Sequence, residues 1–122
     1  MSKHPAGKLF SYLVNEDECN PNVTGWDVSA VTSFSFMFDR IKSFNQDISS
    51  WDVSTSTSFW SMFQDADSFN QDISGWDVSS SSTFKEMFDG ASSFDQDLCS
   101  WDISPTADMT EFCSDSSCGP CF

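Results

Sequence analysis

Trp26, Trp51, Trp76 and Trp101 stand 25 residues apart, and the three positions after each tryptophan repeat in register with it. These are Asp27, Asp52, Asp77 and Asp102, then Val28, Val53, Val78 and Ile103, then Ser29, Ser54, Ser79 and Ser104. Four columns at one spacing define an internal repeat, and a repeat of this length means that neighbouring copies must bury one another's apolar faces. The same interval relates Phe44, Phe69 and Phe94, and Ile48, Ile73 and Leu98, with Cys19 and Val23 in these columns at the front. It also relates Phe34, Phe59 and Phe84 to Met109, Met37, Met62 and Met87 to Phe112, and Phe38, Phe63 and Phe88 to Cys113. Counted backwards, Leu9, Tyr12 and Leu13 fall in those last three columns, so the register starts near residue 9.

The apolar spacing changes within each period. Around Trp51-Asp52-Val53 it alternates, which predicts a short strand with Trp51 and Val53 inward and Asp52 outward. Phe59, Met62, Phe63 and Ala66 then follow the i, i+3, i+4, i+7 pattern of a short amphipathic helix. Ser29, Ser54, Ser79 and Ser104 fit helix N-caps, Pro105 fits a first helical position, and Gly90 fits a helix stop. The expected architecture is therefore a right-handed α/β solenoid of about four 25-residue turns, each a short parallel strand plus a short helix. Residues 1–18 are expected to form an N-terminal cap, 19–104 the repeats and 105–122 a cysteine-rich C-terminal cap, in one domain of 122 residues.

Composition narrows the function. Nineteen acidic against five basic residues give a net charge of −14, which makes nucleic-acid backbones and anionic membranes poor partners. Thirteen Phe and five Trp give the chain far more apolar area than a disordered acidic chain carries. Its apolar runs are too short for a membrane span or the apolar stretch of a signal peptide, so no membrane insertion is expected. His4 is the single histidine and lies near the N-terminus, which leaves no fixed base for a Ser-His or Cys-His pair. No enzyme activity and no cofactor are expected.

The candidate binding residues are Asp27, Asp52, Asp77, Asp102 and Trp60. On a parallel sheet the aspartates would stack at roughly the 4.8 Å strand spacing. Each close pair would repel by something like 1 kcal/mol even in water, so the column needs compensation. Two readings are open: each Asp accepts hydrogen bonds from nearby loop backbone, or the column meets a cationic partner or calcium. A second column, Asp47, Asp72 and Asp97 with Asn22, lies just upstream. Trp60 breaks the repeat, standing in register with Ser35 and Lys85; exposed, it is an interface candidate, and packing against a neighbouring turn is the alternative. Cys99, Cys113, Cys118 and Cys121 are disulfide candidates, with a four-thiolate zinc site as the alternative; Cys19, in a core column, reads as a buried thiol. Cys118-Gly119-Pro120-Cys121 spells a redox tetrapeptide, but no basic neighbour supports a thiolate there. Asn22-Val23-Thr24 is a glycosylation sequon.

The runs Phe44-Asn45-Gln46-Asp47-Ile48-Ser49-Ser50-Trp51-Asp52-Val53-Ser54 and Phe69-Asn70-Gln71-Asp72-Ile73-Ser74-Gly75-Trp76-Asp77-Val78-Ser79 resemble the 25-residue repeat of BspA-like surface proteins and mycoplasma-type surface lipoproteins. That family is related to leucine-rich repeats, and Ile48, Trp51, Val53 and Phe59 fall at the first, fourth, sixth and twelfth places of the leucine-rich pattern. The resemblance covers residues 19–113 and implies a leucine-rich-repeat-like solenoid on a surface or secreted protein. It further implies adhesion or protein recognition without catalysis, at an extracellular, cell-surface or virion-associated location. The expected function is thus a non-enzymatic module that recognises a basic or cell-surface protein through an acidic face. The alternative is a self-assembling subunit, a homo-oligomer in an extracellular fibre or a virus particle.

Overall fold

A computed structural model describes residues 22–118. The expectation of one strand and one helix per repeat is overturned. Among the described residues there is no helix, and the only strand-like pairings are isolated parallel bridges, Ser58 with Thr83, Thr83 with Asp108, and Asp95 with Ser117. The leucine-rich-repeat solenoid built on those elements falls with them. The cap expected over 1–18 lies outside the described residues.

What replaces helix and strand is a succession of tight turns, arranged in layers that begin at Asn22, Asp47, Asp72 and Asp97. In the second layer the backbone closes Ile48 to Trp51, Val53 to Ser56, Phe59 to Met62, Ser61 to Gln64, Phe63 to Ala66 and Ala66 to Phe69, each by an N–H donated to the carbonyl three residues back. The N–H groups in between reach the next layer: Phe59 to Thr83 (3.0 Å), Ser61 to Lys85 (2.9 Å), Phe63 to Met87 (2.9 Å) and Asp65 to Asp89 (2.8 Å). The same four bonds join Phe34, Phe36, Phe38 and Arg40 to the second layer, and Phe84, Glu86, Phe88 and Gly90 to the fourth. Every second donor is thus spent within its own layer and every other donor on its neighbour, which satisfies the backbone as completely as a regular element would.

This alternation explains why no helix forms. Ser61 and Asp65 sit at φ 54° and 56°, as do Phe36 and Arg40 (62°, 63°), Glu86 and Gly90 (58°, 76°) and Glu111 and Asp115 (56°, 60°) in the equivalent places. A positive φ at the third residue of a four-residue turn is the mark of a type II turn, and it breaks a helix every four residues. Seven of these eight residues are not glycine, at a cost of about 1 kcal/mol or more each. The inter-layer bonds and the core beneath offset it. At Gly90 a Cβ would fall on the Asp65 carboxylate of the layer before, so a larger residue there would have to move that side chain.

The core is a stack of rings. Phe38, Phe63 and Phe88 lie 5.7 and 5.4 Å apart, Phe44, Phe69 and Phe94 5.8 and 5.9 Å, and Phe34, Phe59 and Phe84 5.8 and 5.6 Å. Within a layer Phe63 stacks on Phe69 at 4.0 Å. Trp51, Trp76 and Trp101 are almost wholly buried, and their indole N–H groups donate back 28 residues to the carbonyls of Val23, Ile48 and Ile73 at 3.0 to 3.1 Å. A buried indole must place its N–H, and here the placement ties layer to layer. Asn45 and Asn70 do the same on another edge, their side-chain oxygens accepting from the N–H of Asn70 and Asp95 at 2.9 Å. In the last layer Phe112 departs from the stack and meets Phe88 edge-on at 87°.

Candidate functional site

Two flanks of the layered core carry the side chains of interest. On the first, Trp51 and Val53 are buried and Asp52 is exposed, as alternation required, although a turn and not a strand sets them so. Asp52 Oδ1 accepts from the N–H of Ser54 (3.1 Å) and from its hydroxyl (2.6 Å). Asp27 binds Ser29 and Asp77 binds Ser79 in the same way. This is an Asx turn, the side chain standing in for a backbone carbonyl. The serines expected as helix N-caps are therefore donors to the aspartates before them. Asp102 is exposed but does not join the pattern, because Ser104 bonds instead to the hydroxyl and N–H of Thr106 across Pro105.

The upstream column is built alike, with Asp47, Asp72 and Asp97 accepting from the N–H of Ser49, Ser74 and Cys99, and Asn22 from the N–H and hydroxyl of Thr24. The serine bonds hold Asp47, Asp52, Asp72 and Asp77 below the usual carboxylate range, and at Asp52 they outweigh the opposing influence of Asp77 and Asp27. The result is a surface on which these four carboxylates are held in place in their charged form. Among the described residues no three His, Cys, Asp or Glu side chains converge into a set able to hold a metal ion. The reading in which the column meets calcium gains no ligand set from this geometry.

The second flank holds Trp60. Trp60 is 39% exposed and Phe36 36%, the two large apolar side chains of the described residues that face solvent. They lie 4.9 Å apart at 56°. On the other side of Trp60 the Lys85 ammonium sits 5.8 Å above the ring, while Glu86 Oε1 accepts from the Trp60 indole N–H and the Ser61 hydroxyl, both at 3.3 Å. Trp60 thus packs against the layers on either side of its own and remains part-exposed.

The same flank gathers carboxylates that the repeat columns did not single out. Burial, followed by the charges of Asp65 and Glu86, raises Asp39 against the opposing pull of Arg40. Burial again, then Asp65, Glu111, Glu86 and Asp115, raises Asp89. The signal was present at 25- and 50-residue spacings, Glu86 with Glu111, Asp39 with Asp89 and Asp65 with Asp115, but no column is acidic throughout.

Among the cysteines, Cys113 and Cys118 form a disulfide and Cys99 is also disulfide-bonded. Oxidation of these three removes the thiolates that a zinc site built on them would need. Cys121, Cys19 and His4 lie outside the described residues, as does most of the redox tetrapeptide. A shallow polar depression of about 380 Å³, lined by Asp72, Ser74, Gln96, Asp97, Cys99 and Ser100, lies between the third and fourth layers. Among the described residues no helix is long and apolar enough to cross a membrane.

A family model described as "Mycoplasma protein of unknown function, DUF285" matches residues 8–118. No curated protein and no solved structure matches.

Proposed function

The chain belongs to the DUF285 family, and from that premise we propose that it is a non-enzymatic recognition module whose acidic surface engages a basic protein. The observation that carries this reading is the row of exposed aspartates Asp27, Asp52 and Asp77, each anchored by the serine two residues on, with Asp52 and Asp77 held below the usual carboxylate range. A negative surface that needs no rearrangement on binding attracts a positive partner at long range and loses little order when it docks. The resemblance of residues 44–54 and 69–79 to the repeats of BspA-like surface proteins supports a place at the cell surface or outside the cell. The disulfide-bonded cysteines favour an oxidising compartment.

The test is titration with capped peptides rich in basic residues, set against an acidic peptide of equal length, at several salt concentrations. Replacing Asp27, Asp52 and Asp77 by Asn should weaken binding of the basic peptide roughly tenfold, the sum of three exposed charge pairs. Binding that ignores the triple substitution would overturn the reading. A mass that grows with protein concentration, without any peptide affinity, would replace it with the self-assembling subunit.

A further inference from the structure

Lys85 is the odd cation of this surface. Arg40 and Lys42 have carboxylates within reach, Asp39 at 3.7 Å and Asp67 at 3.6 Å. Among the described residues Lys85 makes no close ion pair; it lies near enough to Asp108 to help lower that carboxyl, and it holds its ammonium over the Trp60 ring. Beside it, Glu86 Oε1 is engaged by Trp60 and Ser61, while its second oxygen takes part in no hydrogen bond there. An exposed indole with a cation on its face and a half-used carboxylate at its edge is the arrangement that receives a guanidinium, which stacks on the ring and offers paired N–H donors to the acid. Lysine fills it poorly, since an ammonium is a compact, strongly hydrated charge without a planar face.

We propose that Trp60, with Glu86 at its edge and Phe36 packed behind it, is the docking site for an arginine side chain of the basic partner, and that Lys85 occupies that place until the partner displaces it. This deepens the reading of the chain as an acidic recognition module and rests on it. Charge complementarity selects the occupant. Glu86 at the site is close enough to Asp39 and Asp89 for its charge to act on both, and the chain carries a net charge of −14, so an approaching basic segment is favoured and an acidic one is not. An exposed aromatic anchor ringed by charge is also where binding energy concentrates in protein interfaces.

The experiment is a nuclear magnetic resonance titration of the whole chain with a capped Gly-Arg-Gly-Arg-Gly peptide and its lysine counterpart at about 0.15 M salt, where long-range attraction is damped. The arginine peptide should move the Trp60 indole N–H resonance and release the Lys85 side chain from its ring-shifted position, and the lysine peptide should bind several-fold more weakly. Trp60→Ala should weaken arginine binding about tenfold and Lys85→Ala should strengthen it about threefold, since a cation stacked on an exposed ring is a modest competitor. Trp60→Phe keeps a ring and should retain most of the affinity. Shifts confined to Ser54 and Ser79 with Trp60 unmoved would sink this site and leave the acidic module standing. A chain that binds neither peptide would end both.

Discussion

The two flanks of the layered core solve the same problem by opposite means. On the aspartate flank the turn is closed locally: Asp52 satisfies Ser54 two residues away, and the unit is complete within one layer. Such a unit can be copied unchanged, and it recurs at Asp27, Asp52 and Asp77, while in the fourth layer the Asp102 and Ser104 residues are kept without the bond. On the Trp60 flank the backbone reaches 24 residues onward, Ser61 to Lys85 and Asp65 to Asp89, so the side chains are relieved of that duty. They vary accordingly, from Phe36 to Ser61 to Glu86 to Glu111 down one column. Regularity therefore marks where a side chain serves its own turn, and irregularity marks where the surface is free to become particular.

The sharpest way to break this contrast is at Gly90. An alanine there meets φ 76° and drives its Cβ onto Asp65, so Gly90→Ala should cost about 2 kcal/mol in chemical denaturation, from left-handed strain plus the clash. Adding Asp65→Ala should recover the clash and leave about 1 kcal/mol of strain, the penalty that Asp65 and its non-glycine equivalents already bear. A silent Gly90→Ala would mean that the inter-layer turn is not what the geometry describes.

Acid separates the flanks next, and the signs are opposite. Asp39 and Asp89 are raised above 3.8 in the folded chain, so near neutral pH they destabilise it. As pH falls the native state takes up their protons first, and stability rises until the unfolded chain also protonates near 3.8. Asp47, Asp52, Asp72 and Asp77 are lowered, so their contribution is complete above 3.8 and is lost as pH falls through their folded values. The melting temperature should pass through a maximum in mild acid. Asp39→Asn with Asp89→Asn should raise it at neutral pH and flatten the acid-side climb. Asp52→Asn with Asp77→Asn should lower it by less than Gly90→Ala does, and soften the fall below 3.8.

The burial pattern was legible because it repeats with period 25. Phe59, Met62, Phe63 and Ala66 form the inward stripe that the spacing required, and all four are buried. The secondary structure was not legible, because i, i+3, i+4, i+7 is the signature of any chain that turns inward every three or four residues. A train of alternating turns meets that condition as well as a helix does. The distinguishing feature, a left-handed residue every fourth place, falls on Phe36, Arg40 and Glu86, which carry no sign of it in their chemistry; Gly90 does, and Asp65 and Asp115 do weakly, but a helix stop explained Gly90 equally well. Of the candidate site, the Asp-Ser partnership could be read from a spacing of two, and Trp60 from its breach of the column. The crowding of Asp39, Asp65 and Asp89 could not, since layer stacking alone creates it.

The smallest expected effect tests the flanks' division of labour most directly. Trp60 meets Phe36, Lys85 and Glu86 through its ring and its indole N–H. All three partners lie at the surface layer of the flank, the ring is 39% exposed, and the inter-layer bonds on either side of it, Phe36 to Trp60 and Ser61 to Lys85, belong to the backbone and survive truncation. What Trp60→Ala removes is partial burial, one cation–ring contact and one long hydrogen bond to a solvated acid, together about 1 kcal/mol. The neighbouring substitution Phe63→Ala, in the wholly buried column three residues on, should cost about 3 to 5 kcal/mol by the cavity it leaves among Phe38, Phe69 and Phe88. If denaturation gave the two alanines similar losses, Trp60 would be part of the core and its exposure incidental. A near-silent Trp60→Ala beside a crippled Phe63→Ala would mean that the ring is held at the surface for something other than stability.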